Sequence, residues 1–98
     1  MAAALVIRHR VANFENWKKV FDSMVDVRRQ HGWTSTIVYR DAADPQMVTI
    51  INRVKDIDGA KRYGGSEALK TGMKDAGVLA PPDVFFLEEA EEFAYGVA

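Results

Sequence analysis

Along these 98 residues the spacing of apolar side chains moves between two periods, and the order of those changes constrains the fold most strongly. Ala3–Val11 alternates, with Leu5, Ile7, His9 and Val11 on one face of an extended chain and Val6, Arg8 and Arg10 on the other. Phe14, Trp17, Val20, Phe21, Met24, Val27 and His31 then recur every three or four residues, one apolar stripe on a single helix that ends at Gly32. Trp33–Arg40, rich in Thr, Ile, Val and Tyr, reads as a second strand. The turn Asp41-Ala-Ala-Asp-Pro45 returns the chain into a third, Gln46–Val54, so the two form a hairpin. A second helical region and a last strand, Asp83–Glu89, follow. The order β-α-β-β-α-β with such short connections predicts an α+β split β-α-β sandwich, the ferredoxin-like arrangement with a four-stranded antiparallel sheet.

Boundary residues agree with this order. Asn13 is a plausible N-cap, Glu15 places negative charge in the first turn, and Arg28 and Arg29 suit the negative end of the helix dipole. Asp56 or Asp58 caps the second helical region, which Gly64-Gly65 interrupts, Ser66 restarts and Gly77 ends, predicting two short pieces. Pro81-Pro82 stiffens the approach to the last strand. No linker, repeat or low-complexity stretch divides the chain, so residues 1–98 read as one domain. The tail Glu91–Ala98 is acidic and then aromatic (Phe93, Tyr95), either frayed or laid across a partner subunit.

At 48% hydrophobic the chain builds a core, yet a domain this small buries a modest share of its surface. Its sheet carries apolar residues on both faces, Leu5 and Ile7 against Val6, and Phe86 against Phe85 and Leu87. The helices suffice for one face, which predicts a homodimer. A net charge of -1 leaves no electrostatic footprint for nucleic acid. With no cysteine there is neither disulfide, thiolate metal site nor cysteine nucleophile. The apolar opening is interrupted at Arg8, too early for a signal peptide, and no stretch approaches membrane-spanning length, so a cytoplasmic protein is expected.

Few residues invite chemistry. His9 sits within an apolar strand face and needs a partner there; it is either a satisfied core or interface histidine, or a pocket-lining base or donor titrating near neutrality. His31, at a helix C-terminus, reads as structural, and two histidines so far apart make no metal site. Trp17 and Phe21, one turn apart, face the sheet as core or as cavity walls. Tyr39, Asn52 and Tyr63 are amphipathic or polar among apolar neighbours; converging on an apolar cleft, they would describe a small-ligand pocket. Arg8, Arg10, Arg40 and Arg53 read as solvated edges or interface pairs, and Gly64-Gly65 lacks the flanks of a phosphate loop.

Three segments, Ile7–Asp22, Val38–Val48 and Ala76–Glu89, together resemble the dimeric α/β-barrel superfamily, in particular small antibiotic-biosynthesis-monooxygenase-like proteins. The resemblance covers nearly the whole chain and implies a homodimer whose two sheets face each other, with a pocket between each sheet and its own helices. Active members oxidise polycyclic aromatic polyketides without metal or flavin, using an asparagine and a tryptophan a turn apart, a tyrosine and an arginine. Asn52 lies on roughly the corresponding strand, and Tyr63 stands loosely for the tyrosine. Four residues after Asn52 is Asp56 rather than tryptophan, and the last strand has no arginine. The heme-degrading branch would need a histidine within Asp56–Gly77, which has none. The expectation is a cofactor-independent monooxygenase or polyketide-modifying protein acting on a small aromatic ligand. His9, Asn52 and Tyr63 would act on it, with Trp17, Phe21 and Tyr39 as its contacts. The alternative is a non-catalytic ligand-binding or stress-related dimeric module.

Overall fold

The computed structural model describes residues 3–64, 67–75, 77–79 and 81–96. Its elements are β1 (Ala3–Arg10), α1 (Phe14–Ser23), α2 (Val25–Gln30), β2 (Trp33–Arg40), β3 (Met47–Val54), α3 (Ile57–Gly64), α4 (Glu67–Asp75) and β4 (Asp83–Glu88). The strands form one antiparallel sheet in the order β2-β3-β1-β4, the ferredoxin-like topology expected.

Register decides which side chains meet the helices. Leu5 pairs with Asn52, Ile7 with Ile50 and His9 with Val48, so these six point to one face. That face is buried beneath the helices together with Val11, Val54 and Trp17. Asn52 ties three strands: its Nδ2 donates to the Leu5 carbonyl at 3.0 Å, and its Oδ1 accepts from Thr36 Oγ1 at 3.0 Å. The opposite face carries Ile37, Tyr39, Phe85 and Leu87, all substantially exposed, and no element of the described chain covers them.

Asn13 caps α1, accepting from the Asn16 amide at 3.0 Å. Asp56 rather than Asp58 caps α3, accepting from the Gly59 amide at 2.6 Å. The single helix expected before Gly32 is two. At Met24 the backbone leaves helical geometry (φ -100, ψ 13), and α2 starts at Val25. Arg28 supports the break, its Nη1 donating to the Phe21 carbonyl at 2.8 Å. Gly32 then reverses the chain at φ 94, a conformation open to glycine. The expected cap at Ser66 lies outside the described residues.

Gly59 lets the first turn of α3 sit against the end of α2. A β-carbon there would stand 2.7 Å from the His31 carbonyl oxygen, a backbone atom that cannot swing aside. At Gly64 the nearest atom would be the tip of Phe86, at an ordinary 3.7 Å. Gly59→Ala is therefore expected to destabilise by about 1–3 kcal/mol despite the better helix propensity of alanine, with Gly64→Ala within about 0.5 kcal/mol of the parent. Urea denaturation of both variants checks this; equal midpoints would refute the close approach.

Candidate functional site

Between the sheet and its helices lies a cavity of about 50 Å³. His9, Ile50 and Asn52 form its floor, Trp17 and Phe21 one wall, and Arg28, Trp33 and Tyr63 the end beneath α2 and α3. Met24, Leu69 and Met73 close it from the helix side. A dry cavity that takes benzene measures about 150 Å³, so an aromatic ligand enters only if side chains yield. The two methionines are the adaptable ones.

The aromatic wall is continuous. Trp17 stacks on Phe21 at 4.8 Å between centroids and on Phe14 at 5.7 Å, while His9 meets Trp17 edge-on at 5.8 Å. Trp33 meets Tyr63 edge-on at 4.9 Å, and Tyr63 lies 5.3 Å from His31.

Polar atoms are few and unevenly served. His9 is 6% exposed, and neither ring nitrogen has a hydrogen-bond partner among the described residues. Burial without a partner disfavours the imidazolium and lowers its pKa from 6.5 to about 4, which corrects the expectation of titration near neutrality. At neutral pH His9 is an uncharged ring with one donor and one acceptor. Trp33 is 8% exposed, and its Nε1–H likewise lacks a partner. Tyr63 is buried and hydrogen-bonded to the Arg28 guanidinium; burial raises its pKa, and Arg28 offsets part of that rise. A guanidinium only donates, so the Tyr63 oxygen accepts in this bond.

Of the residues singled out in the sequence, His9, Asn52, Tyr63, Trp17 and Phe21 all line the cavity. Tyr39 does not. It pairs with Thr49 on the outer sheet face and is 52% exposed, because strand alternation puts Thr36 and Val38 on the helix side instead. His31 has a structural bond, its Nδ1 lying 2.8 Å from the Val27 carbonyl oxygen. Arg10 pairs with Asp44, Arg53 with Glu89 and Glu92, and Arg40 covers the Phe14 ring at 4.1 Å. Among the described residues no three His, Asp or Glu side chains gather closely enough to hold a metal ion, and no helix is long and apolar enough to cross a membrane.

Two cavity residues escape a sequence reading, Arg28 and Trp33. Phe21, Met24 and Arg28 stand at i, i+3 and i+7, so a charge on the apolar stripe is the signal that marks Arg28. Trp33 has no comparable mark, since a tryptophan opening a strand is ordinary core.

The lowered pKa of His9 makes stability depend on pH. Between pH 6.5 and 4 the unfolded chain binds a proton there that the folded one does not, so stability falls as pH drops through this window and is fully present above it. The loss is up to about 3 kcal/mol by linkage. His9→Leu should flatten that limb of a plot of urea midpoint against pH. An unchanged slope would show that His9 keeps an ordinary pKa.

No protein-family model matches the chain, and no curated protein does. Solved structures match it closely in shape. The cofactor-independent oxygenase SnoaB from Streptomyces nogalater superposes with a TM-score of 0.78 at 12% identity, over 96% of this chain and 98% of that one. A protein of Bordetella bronchiseptica assigned to the antibiotic biosynthesis monooxygenases gives 0.75 at 14% identity, over 92% and 98%. Another so assigned, from Caulobacter crescentus CB15, gives 0.73 at 18%, over 92% and 91%. The chain thus has the ferredoxin-like fold of antibiotic-biosynthesis-monooxygenase-like proteins.

Proposed function

We propose that this protein binds a small aromatic ligand between sheet and helices and oxidises it with dioxygen, without a cofactor, as a homodimer. The observation that carries the reading is the pairing of His9, buried with both ring nitrogens unpartnered, with the stacked wall of Trp17 and Phe21 in one cavity. An apolar cavity with a few unsatisfied polar atoms is the usual form of a small-molecule site. The likeness in shape to a cofactor-independent oxygenase supports the same reaction class.

The chemistry asks little of the protein. A hydroxylated anthrone, once deprotonated, supplies its own electrons. Its CH₂ group and O₂ become C=O and H₂O, one oxygen staying on carbon and the other leaving with both hydrogens. The chain has to hold the ring against Trp17 and Phe21, accept a proton and keep water out. His9 is the acceptor, available because it is neutral at physiological pH. Its low basicity holds its contribution near the lower end of general-base catalysis, about 100-fold. Asn52 and Tyr63 position the ligand's oxygens.

Oxygen uptake with 1,8-dihydroxyanthrone tests this. One O₂ per anthrone is expected, well above the spontaneous rate, falling roughly 100-fold in His9→Leu with affinity retained. Tight binding with only the spontaneous rate would favour the second reading, a binding module without turnover. One feature speaks for that reading: the amide of Asn52 is already bonded to Leu5 and Thr36.

The dimer is proposed from the outer sheet face, where Ile37, Phe85 and Leu87 are each about half exposed on a surface that no helix of the described residues covers. Sedimentation equilibrium at micromolar concentration should give twice the 11.0 kDa chain mass, and Phe85→Glu should return the monomer. A monomeric parent protein would remove the dimer while leaving the cavity argument intact.

A further inference from the structure

Arg28 is a half-buried cation with no carboxylate partner among the described residues. Its guanidinium lies over the Phe21 ring at 3.8 Å, donates to the Phe21 carbonyl and bonds Tyr63, yet among the described residues it makes no ion pair. Asp22, whose charge it feels, is committed to Lys18 at 2.6 Å. Burying a charge without a counter-charge is costly, so such a group is normally paired. Beside it stands Trp33, whose indole N–H is buried without an acceptor.

These two residues also share a position. Both line the cavity, and both line a surface cleft of about 230 Å³ that runs along α2 and the start of β2, past Val25, Arg29 and Ser35. They therefore form the wall between the two spaces. Each offers donors only: a guanidinium and an indole have no lone pair to give. A ligand atom that satisfies both must accept hydrogen bonds, and one that also answers the unpaired cation must carry negative charge.

We infer that Arg28 and Trp33 form an oxyanion-binding pair, which makes the site selective for aromatic ligands bearing an ionised oxygen, a carboxylate or phenolate, over their neutral counterparts. The inference rests on the aromatic-ligand reading and deepens it. The ring lies against Trp17 and Phe21 near His9, and its charged oxygen sits at the wall beneath α2. This places the cation on a helix, whereas the sequence resemblance implies an arginine on the last strand, a strand that here has none. For an oxidised substrate the pair would favour the ionised over the neutral form, assisting the deprotonation in which His9 is a weak base.

Calorimetric titration at about pH 7 with two matched pairs of ligands tests the assignment. The first pair is 2-naphthoate and 2-naphthamide, equal in shape and different in charge. The second is 1-nitro-2-naphthol, ionised at this pH, and its methyl ether, which cannot ionise. The anion is expected to bind roughly tenfold or more tightly than its neutral partner, the scale of a charge-assisted hydrogen bond. Preference in the first pair alone identifies an aromatic acid, in the second alone a hydroxyaromatic, and in both identifies charge as what is recognised; each outcome supports the pair. Arg28→Met should abolish the preference while keeping affinity for the neutral ligands, and Arg28→Lys should restore part of it. Trp33→Phe should weaken the anions only. A purely structural role for Arg28 would not move the ratio of anion to neutral affinity. Equal affinities in the parent protein would overturn the oxyanion pair while leaving the aromatic pocket standing, and this comparison needs no variant to fold. Absence of binding by all four ligands would overturn both readings.

Discussion

The pairing of β1 with β3 is the constraint on which the rest of this structure depends. Side chains alternate across a strand, so a slip of one residue would exchange everything that faces the helices with everything that faces away. In the observed register Leu5, Ile7 and His9 meet Asn52, Ile50 and Val48 beneath the helices. Asn52 pins that register from inside the sheet. Its amide bonds the Leu5 carbonyl on one neighbouring strand and the Thr36 hydroxyl on the other, the first bond buried and the second half-buried. Buried polar groups that are fully served in one arrangement and stranded in others specify that arrangement. The cavity follows from the same register, since His9 reaches its floor only because Val48 stands opposite.

Within the cavity, unpartnered polar atoms meet apolar walls. His9 has no hydrogen-bond partner and responds by staying neutral. Trp33 cannot respond in that way, because an indole N–H does not titrate at accessible pH. Arg28 keeps its charge, and its broad ring-facing surface rests on Phe21. The three residues come from β1, β2 and α2, so no single element forms the site. The break at Met24 matters here. Helical geometry stops there and resumes at Val25, and Arg28 of the second piece lines the cavity while its Nη1 bonds the carbonyl of Phe21 in the first.

Most of this fold was legible in the sequence, and the particulars show why. Strand alternation in Ala3–Val11 named the buried face of β1 correctly down to His9. Helix periodicity named Trp17 and Phe21 as sheet-facing, and the caps at Asn13 and Gly32 fall where local chemistry puts them. The break at Met24 was not legible, since the apolar stripe runs through it at an unchanged spacing. Polarity alone points Tyr39 into the pocket, and the structure puts it on the outer face. The alternation that assigned His9 its face assigns Tyr39 the other one, once the irregular pairing between Trp33 and Ser35 fixes the phase of β2.

What the sequence by itself determined is the order of strands and helical regions, the buried face of β1 and of the first helical stripe, and hence a sandwich with one covered and one uncovered sheet face. Those properties depend on neighbours a few residues apart, where period and capping chemistry act. Only the tertiary structure decided the character of the site. The protonation of His9 depends on how completely Trp17 and its neighbours shut out water, a property of distant segments brought together. The meeting of Arg28 with Trp33 and Tyr63 likewise needs three elements to converge, and no spacing along the chain encodes it. Local periodicity places a side chain on a face; packing between faces fixes its charge, its partners and the space beside it.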